Sequence, residues 1–303
     1  MPDTKQHHIV CKHEQHNVRV AFWLHGDANS DHVIVCVHGL TRLATDFDAL
    51  AAGLLQDAAA RGLPTPRIVC IDVPGRGGSD WLPNPEWYQV PVYASLMLQV
   101  LAQLQPIRKL DWVGTSMGGL IGLAVAATQN TPLWPLSVPL HKMVLNDVGP
   151  EIAWEAVQRI GDYVADTGYF ATFEQGLQYL EGRCAPFGPH TPEQWRALNT
   201  PALVPHPAGG WRLHYDPAIA QVFTHVTPES FAQGTEVLWQ VYDGLTLPLL
   251  VVRGAESDLL PAAAARAMQQ RGPRAQLVEF AGVGHAPTLV QPEQIAAVSH
   301  FLL

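Results

Sequence analysis

Ser116 stands at the centre of a Gly-x-Ser-x-Gly pattern that spans residues 114–118. A short apolar run, 109–113, precedes the pattern, and an apolar segment, 119–127, follows it and is predicted to be a buried helix. Strand, tight turn and helix in this order are typical of a nucleophile elbow, which lifts the serine hydroxyl clear of the sheet. The flanking glycines fit because a Cβ there would collide with the neighbouring strand and helix. The pattern therefore predicts a nucleophilic serine.

A serine hydroxyl needs a base within hydrogen-bond distance, and the base needs an orienting acid. His285, in the Gly284–Pro287 loop after the last predicted strand, is the predicted base. Asp258 follows the strand before that and is the predicted acid, in the order serine, acid, histidine. Two alternatives stay open for the acid. Asp147 follows the strand that leads into the middle third of the chain, and Glu256 lies two residues before Asp258.

Acyl transfer also needs hydrogen-bond donors for the oxyanion that forms on the substrate. One predicted donor is the backbone N–H of Met117, the residue after the serine. The other is the backbone N–H of Leu40, in the loop that follows the strand ending at Val37. His38, in the same loop, is expected to be a buried histidine that braces the loop.

Two further side chains are candidates for the substrate pocket. Arg42 lies beside the predicted oxyanion loop, where it could contact a substrate oxygen or pair with Asp46 or Asp48. Trp81 follows a glycine-rich turn and could line the pocket or belong to the core.

The elements that must position these residues alternate between buried strands and helices. Continuous apolar runs predict the strands, and longer segments between them predict helices. The predicted strands are 18–24, 32–37, 67–72, 109–113, 141–146, 249–253 and 275–280, and the predicted helices are 47–61, 90–104, 119–127, 261–270 and 292–302. This alternation predicts an α/β fold with a doubly wound, mostly parallel sheet.

The middle third departs from this alternation, because no buried strand is predicted from about Glu151 to Asp243. Helical stretches, proline-rich links and many aromatic residues occupy it instead. We expect residues 1–150 and 244–303 to form the core and residues 151–243 to form a helical cap over the carboxyl ends of the strands, where ligands of such sheets bind. The alternative is a small helical domain packed elsewhere.

The composition excludes several classes of protein. The chain has 303 residues, of which 48% are hydrophobic and 15% charged, and its formal net charge is −9. A nucleic-acid-binding protein would need a basic face, and no cluster of Lys and Arg occurs. An anionic membrane surface is disfavoured for the same reason. A small neutral molecule is the expected partner, and the oligomeric state is left open.

The start of the chain, residues 1–8, is polar, without an apolar leader, and no run is long enough to cross a bilayer. The four cysteines have neither metal-binding nor redox spacing. These features predict a cytoplasmic protein without a metal site.

Taken together, these motifs resemble those of the α/β-hydrolase fold superfamily in its serine-nucleophile branch. The resemblance rests on His38-Gly39, the turn 72–79, the elbow 114–118, Asp258 and Gly284-His285, which occur in the order of that family. It implies an eight-stranded sheet with an antiparallel second strand and a helical cap after the sixth strand. Within the superfamily, the segments 38–42 and 146–150 are most similar to bacterial cap-bearing carboxylesterases, some of which act on polyesters and short hydroxyacid oligomers.

The predicted function is a serine hydrolase of carboxylic esters that forms an acyl-enzyme and uses no cofactor. The substrate is expected to be a small to medium apolar acyl ester or a hydroxyacid oligomer. One alternative is a hydrolase of C–C bonds in ring-cleavage products, or of lactones, because the same triad serves those reactions. Another is a ligand-binding protein without catalysis on the same scaffold. A panel of ester, lactone and dienoate substrates separates these alternatives.

Overall fold

The computed structural model describes residues 6–303, so the polar residues 1–5 at the start of the chain lie outside the described part. A twisted sheet of eight strands forms its centre, in the order β1-β2-β4-β3-β5-β6-β9-β10. The strands are β1 Gln6–His13, β2 His16–Gly26, β3 His32–Val37, β4 Arg67–Ile71, β5 Lys109–Thr115, β6 Leu140–Asn146, β9 Leu249–Gly254 and β10 Gln276–Phe280. β2 runs antiparallel to both of its neighbours, and the pairs from β4 to β10 are parallel. The predicted α/β fold with eight mostly parallel strands is confirmed.

The sheet is covered by helices on both faces, which explains why its central strands are mostly apolar. On one face, α2 Val90–Gln103, α3 Met117–Ala126 and α8 Ala262–Met268 pack against the strands. On the other, α1 Asp48–Ala60 and α9 Pro292–Leu302 bury their apolar residues. Because β3, β4 and β9 are buried on both faces, their valine, isoleucine, leucine and cysteine side chains contribute apolar contact area on either side of the sheet.

Between β6 and β9 the chain leaves the sheet and forms the inserted segment, residues 151–243. Its elements are α4 Trp154–Val164, α5 Phe173–Cys184, α6 Pro192–Asn199, a hairpin of β7 Leu203–Pro205 and β8 Trp211–Leu213, a 3-10 helix Pro217–His225, and α7 Pro228–Asp243. Threonine side chains cap three of the helices, namely Thr172, Thr191 and Thr227. Each accepts a hydrogen bond from a backbone N–H of the first turn, which has no partner within the helix. The small hairpin was not predicted from the sequence.

Short 3-10 helices complete the structure, at Ala44–Phe47, Pro85–Trp87, Ala185–Phe187 and Thr200–Ala202. Within residues 6–303, none of the helices is both long and apolar enough to cross a membrane. The cytoplasmic location stays a prediction.

Candidate active site

The turn between β5 and α3 brings Ser116 to the carboxyl edge of the sheet. Ser116 has φ +51° and ψ −119°, a region that non-glycine residues seldom occupy, and its neighbours fix it there. A Cβ on Gly114 would overlap the backbone of Gly118, and one on Gly118 would overlap the carbonyl oxygen of Val37. Only glycine at these two positions lets the helix approach the strands so closely. The predicted strand, turn and helix around Ser116 are therefore present.

His285 lies on the loop between β10 and α9 and contacts the serine. Its Nε2 lies 2.9 Å from Oγ of Ser116. The loop is fixed to the sheet by Asn146, whose Nδ2 donates hydrogen bonds to the carbonyl oxygen of Pro287 (2.8 Å) and to Oγ1 of Thr115 (2.9 Å). The imidazole is thus held within reach of the serine proton, as a general base must be.

Asp147, and not Asp258, is the carboxylate that contacts His285. Its Oδ2 lies 2.7 Å from Nδ1 of His285, and the side chain is fully buried, with 0% exposed. The same carboxylate accepts hydrogen bonds from the hydroxyl of Ser257 (2.6 Å) and the backbone N–H of Gly254 (3.0 Å). These donors compensate the cost of burying a charge.

The prediction that Asp258 faces the histidine is wrong. Asp258 lies in the loop after β9, has 51% of its side chain exposed, and pairs with Arg159 of α4. The Glu256 side chain is also engaged elsewhere, because its Oε1 accepts a hydrogen bond from the backbone N–H of Gly282. Of the three acids that the sequence left open, only Asp147 forms a hydrogen bond with His285 among residues 6–303.

A sequence signal for Asp147 existed. Asp147 is the first residue after β6, the strand next to the elbow strand, just as Ser116 is the first residue after β5. Asp147 has φ +55°, a conformation that aspartate adopts more readily than most residues. A small acidic residue directly at the end of a neighbouring buried strand is therefore the signal to look for.

The loop after β3 lies against the serine. A Cβ built on Gly39 would stand 3.6 Å from Cβ of Ser116. Among residues 6–303, neither the backbone N–H of Leu40 nor that of Met117 has a hydrogen-bond acceptor. Both donors are free to bind a ligand oxygen.

His38 braces this loop, as expected. Its Nδ1 lies 2.7 Å from the carbonyl oxygen of Gly39, and its Nε2 accepts a hydrogen bond from the backbone N–H of Val73 (2.9 Å). Complete burial lowers the pKa of His38 to about 3, because the charged form would lose its hydration. His38 is thus a neutral structural histidine near pH 7.

Two cavities meet at Ser116, Leu40 and Ile160, which line both of them. The first, which we call the arginine cavity, has a volume of about 500 Å³ and is lined by Arg42, Arg159 and Arg183 as well as His285. The second, the apolar cavity, has a volume of about 700 Å³. Its lining includes Ile152, Val157, Val222, Phe223, Phe231 and Leu238 from the inserted segment and Met117, Leu120 and Val148 from the core. Core and inserted segment thus enclose the serine together.

Of the two predicted pocket residues, the structure brings one to the site. Arg42 lines the arginine cavity, but its guanidinium makes two 2.7 Å hydrogen bonds to Asp46 and donates a further one to the carbonyl oxygen of Leu198 (2.8 Å). Its charge is therefore already neutralised, and it links the core to the inserted segment. Trp81 lines neither cavity. Its ring is 45% exposed and lies 5.3 Å from the guanidinium carbon of Arg212.

Comparison with known proteins shows the family of the chain. A 3-hydroxybutyrate-oligomer hydrolase of Cupriavidus necator is 46% identical over 286 residues, which cover 93% of this chain and 92% of that protein. A pimeloyl-acyl-carrier-protein methyl ester esterase of Xanthomonas campestris is 26% identical over 89% of this chain and 97% of its own. The solved structure of an alpha/beta hydrolase from Novosphingobium aromaticivorans superposes with a TM-score of 0.79 at 31% identity, covering 100% of this chain and 99% of that one.

The family model described as the alpha/beta hydrolase family matches residues 34–298, from β3 to α9. This range contains Ser116, Asp147 and His285 and the loop of Leu40. With this match and the 46% identity to one relative, the chain belongs to the alpha/beta hydrolase family.

Proposed function

We propose that the protein hydrolyses carboxylic esters with a catalytic triad of Ser116, His285 and Asp147. The observation that carries this proposal is the continuous pair of contacts from Oγ of Ser116 to Nε2 of His285 and from Nδ1 of His285 to Asp147. A buried carboxylate on one side of the imidazole fixes the ring so that the other nitrogen can accept the serine proton.

The first half of the reaction forms an acyl-enzyme. Oγ of Ser116 attacks the ester carbonyl carbon while its proton passes to Nε2 of His285, and Asp147 stabilises the imidazolium. The N–H groups of Leu40 and Met117 bind the oxyanion, and each such donor contributes about 3 kcal/mol in comparable sites. The tetrahedral intermediate collapses, the ester C–O bond breaks, and His285 gives its proton to the leaving alcohol.

The second half releases the acid. His285 takes a proton from a water molecule as the water oxygen attacks the acyl carbon. The tetrahedral intermediate collapses, the bond between the acyl carbon and Oγ of Ser116 breaks, and His285 gives the proton to Oγ. No step needs an electron acceptor or a metal, because both halves move only protons and an acyl group.

The substrate that we propose is a hydroxyacid oligomer or a similar ester of small to medium size. The support is the 46% identity over nearly the whole chain to a 3-hydroxybutyrate-oligomer hydrolase, together with cavities of about 500 and 700 Å³ beside Ser116. We also propose that residues 151–243 act as a cap, since α4 and α7 supply walls of the apolar cavity.

The test is a mass measurement after treatment with a fluorophosphonate, followed by a hydrolysis assay with p-nitrophenyl butyrate. One adduct on Ser116, loss of hydrolysis, and an inactive but folded Ser116→Ala variant are expected. A folded wild-type protein that takes up no adduct, or a Ser116→Ala variant with full activity, would refute the proposed mechanism.

A further inference from the structure

The two cavities beside Ser116 differ in charge, and this difference indicates how a substrate is oriented. We propose that the arginine cavity binds a free carboxylate on the alcohol part of the ester through Arg183, while the acyl part occupies the apolar cavity. This inference rests on the proposed ester hydrolysis and specifies which end of a hydroxyacid oligomer lies where.

The position of His285 indicates which cavity holds the alcohol part of the ester. In the proposed reaction Nε2 of His285 must reach the leaving oxygen to protonate it. His285 lines the arginine cavity and is absent from the lining of the apolar cavity. The leaving alcohol therefore departs into the arginine cavity. The acyl chain then takes the other side, where Phe223, Phe231 and Leu238 offer apolar surface.

The charges of the arginine cavity indicate a carboxylate. Three guanidinium groups line it against one lining aspartate, Asp258. Arg42 is neutralised by Asp46 and Arg159 by Asp258. Arg183 has no carboxylate within 4 Å among the residues described here, 6–303. Arg183 lines the cavity and is also exposed to solvent. It lacks an acidic partner although the whole chain carries a net charge of −9.

Arg183 is also held in place for such a role. It lies in the last turn of α5, and its guanidinium carbon stands 3.6 Å from the centroid of the Tyr163 ring. One of its nitrogens donates a hydrogen bond to the hydroxyl of Tyr179 (3.2 Å). Stacking on one tyrosine leaves the remaining N–H donors of the planar guanidinium available in its own plane. That fork matches the two oxygens of a carboxylate.

Hydroxyacid oligomers fit both cavities at once. When the ester bond breaks, the acyl part leaves as a carboxylic acid after hydrolysis of the acyl-enzyme, and the alcohol part leaves as a hydroxyacid that still carries its own carboxylate. A simple alkyl ester lacks this group on its alcohol side and cannot use Arg183. The enzyme should therefore prefer esters whose alcohol part is an anion.

The experiment compares two substrates that differ only in this charge, the ester-linked dimer of 3-hydroxybutyrate as the free acid and as its terminal primary amide. Each contains one ester bond, and product release is measured by chromatography. The variants are Arg183→Gln, which removes the charge, and Arg183→Lys, which keeps it. Arg196→Gln is the matched control, because Arg196 lies on α6 outside both cavities. p-Nitrophenyl butyrate reports the activity that needs no carboxylate.

We expect the wild type to hydrolyse the free acid with a higher kcat/KM than the amide. Arg183→Gln should lower kcat/KM for the free acid by about tenfold to a hundredfold, because this is the usual effect of losing a hydrogen bond to a charged group. The amide and p-nitrophenyl butyrate should stay within about threefold in this variant, and Arg183→Lys should recover part of the loss. Arg196→Gln should match the wild type.

Two results would overturn the inference. One is a wild type that hydrolyses acid and amide equally well. The other is an Arg183→Gln variant that loses activity equally on all three esters, which would mean that Arg183 only supports Tyr163. Failure of the wild type on all three esters would instead refute the proposed function.

Discussion

Two neighbouring loops at the carboxyl edge of the sheet each carry an aspartate, and the two aspartates have opposite surroundings. Asp147, after β6, is fully buried and is contacted by Ser257, Gly254 and His285. Asp258, after β9, is half exposed and pairs with Arg159 at the surface. Both follow a buried strand and both precede the histidine in the chain.

What separates them is the distance from the end of the strand. Asp147 comes directly after β6, so the sheet itself fixes where its carboxylate lies. Asp258 comes four residues after the end of β9, and its carboxylate pairs with Arg159 instead of His285. A residue next to a strand end inherits the position of the strand, whereas a residue further along a loop depends on how the loop bends.

The largest effect should follow from Asp147→Asn. The amide can hold the imidazole only in the wrong tautomer and cannot stabilise its positive charge, so kcat should fall by about 10³- to 10⁴-fold, as in other serine triads. The measurement is p-nitrophenyl butyrate hydrolysis by a variant whose folding is checked by circular dichroism. A folded variant that loses less than about tenfold would remove Asp147 from the triad.

A smaller effect is expected for Ser257→Ala. The Ser257 hydroxyl donates to the carboxylate of Asp147 at 2.6 Å, and hydrogen bonds to charged groups contribute about 1.5–3 kcal/mol. The carboxylate keeps two other partners, the backbone N–H of Gly254 and Nδ1 of His285. We therefore expect kcat for p-nitrophenyl butyrate to fall by about tenfold while KM stays unchanged. Ser257→Thr keeps the hydroxyl and should restore most of kcat. If the threonine and alanine variants were equally slow, the hydrogen bond would not be the cause.

The smallest effect is expected for Asp258→Asn. Exposed ion pairs contribute about 0–1 kcal/mol to the free energy of unfolding. Both kcat for p-nitrophenyl butyrate and the midpoint of urea unfolding should therefore stay near the wild-type values. The comparison of the two aspartates depends on this variant, because Asp147→Asn and Asp258→Asn make the same chemical change in adjacent loops. If kcat fell by about a thousandfold in Asp258→Asn, Asp258 and not Asp147 would be the acid of the triad.

Most of the fold could be predicted from the sequence, since the central strands contain apolar runs that are buried on both faces, as for residues 33–37 and 249–252. The helix caps of the inserted segment are equally local, with threonine before proline at Thr191 and Thr227. The hairpin of β7 and β8 was not predicted because its strands have three residues each. So short a strand does not show the alternation of apolar and polar residues by which strands are recognised.

In the site, the sequence by itself determined which short motifs supply the elbow and the loop after β3. Gly114 and Ser116 encode the tight turn, because a Cβ on Gly114 would overlap the backbone of Gly118 four residues later. Gly118 also meets Val37 of the neighbouring strand, and His38 accepts a hydrogen bond from the backbone N–H of Val73. The motifs thus name these residues, and the packing of the strands completes their contacts.

Only the tertiary structure decided which acid contacts His285 and which arginine of the cavity beside Ser116 has no carboxylate partner among residues 6–303. Three acidic residues follow strands at the same sheet edge, and the chain order does not distinguish Asp147 from Asp258 or Glu256. The pairing of Arg42 with Asp46 and of Arg159 with Asp258, which leaves Arg183 unneutralised, depends on how the inserted segment packs on the core. Such choices depend on contacts between residues far apart in the chain. The sequence records that Asp147 directly follows a strand, but not that this strand lies beside β5.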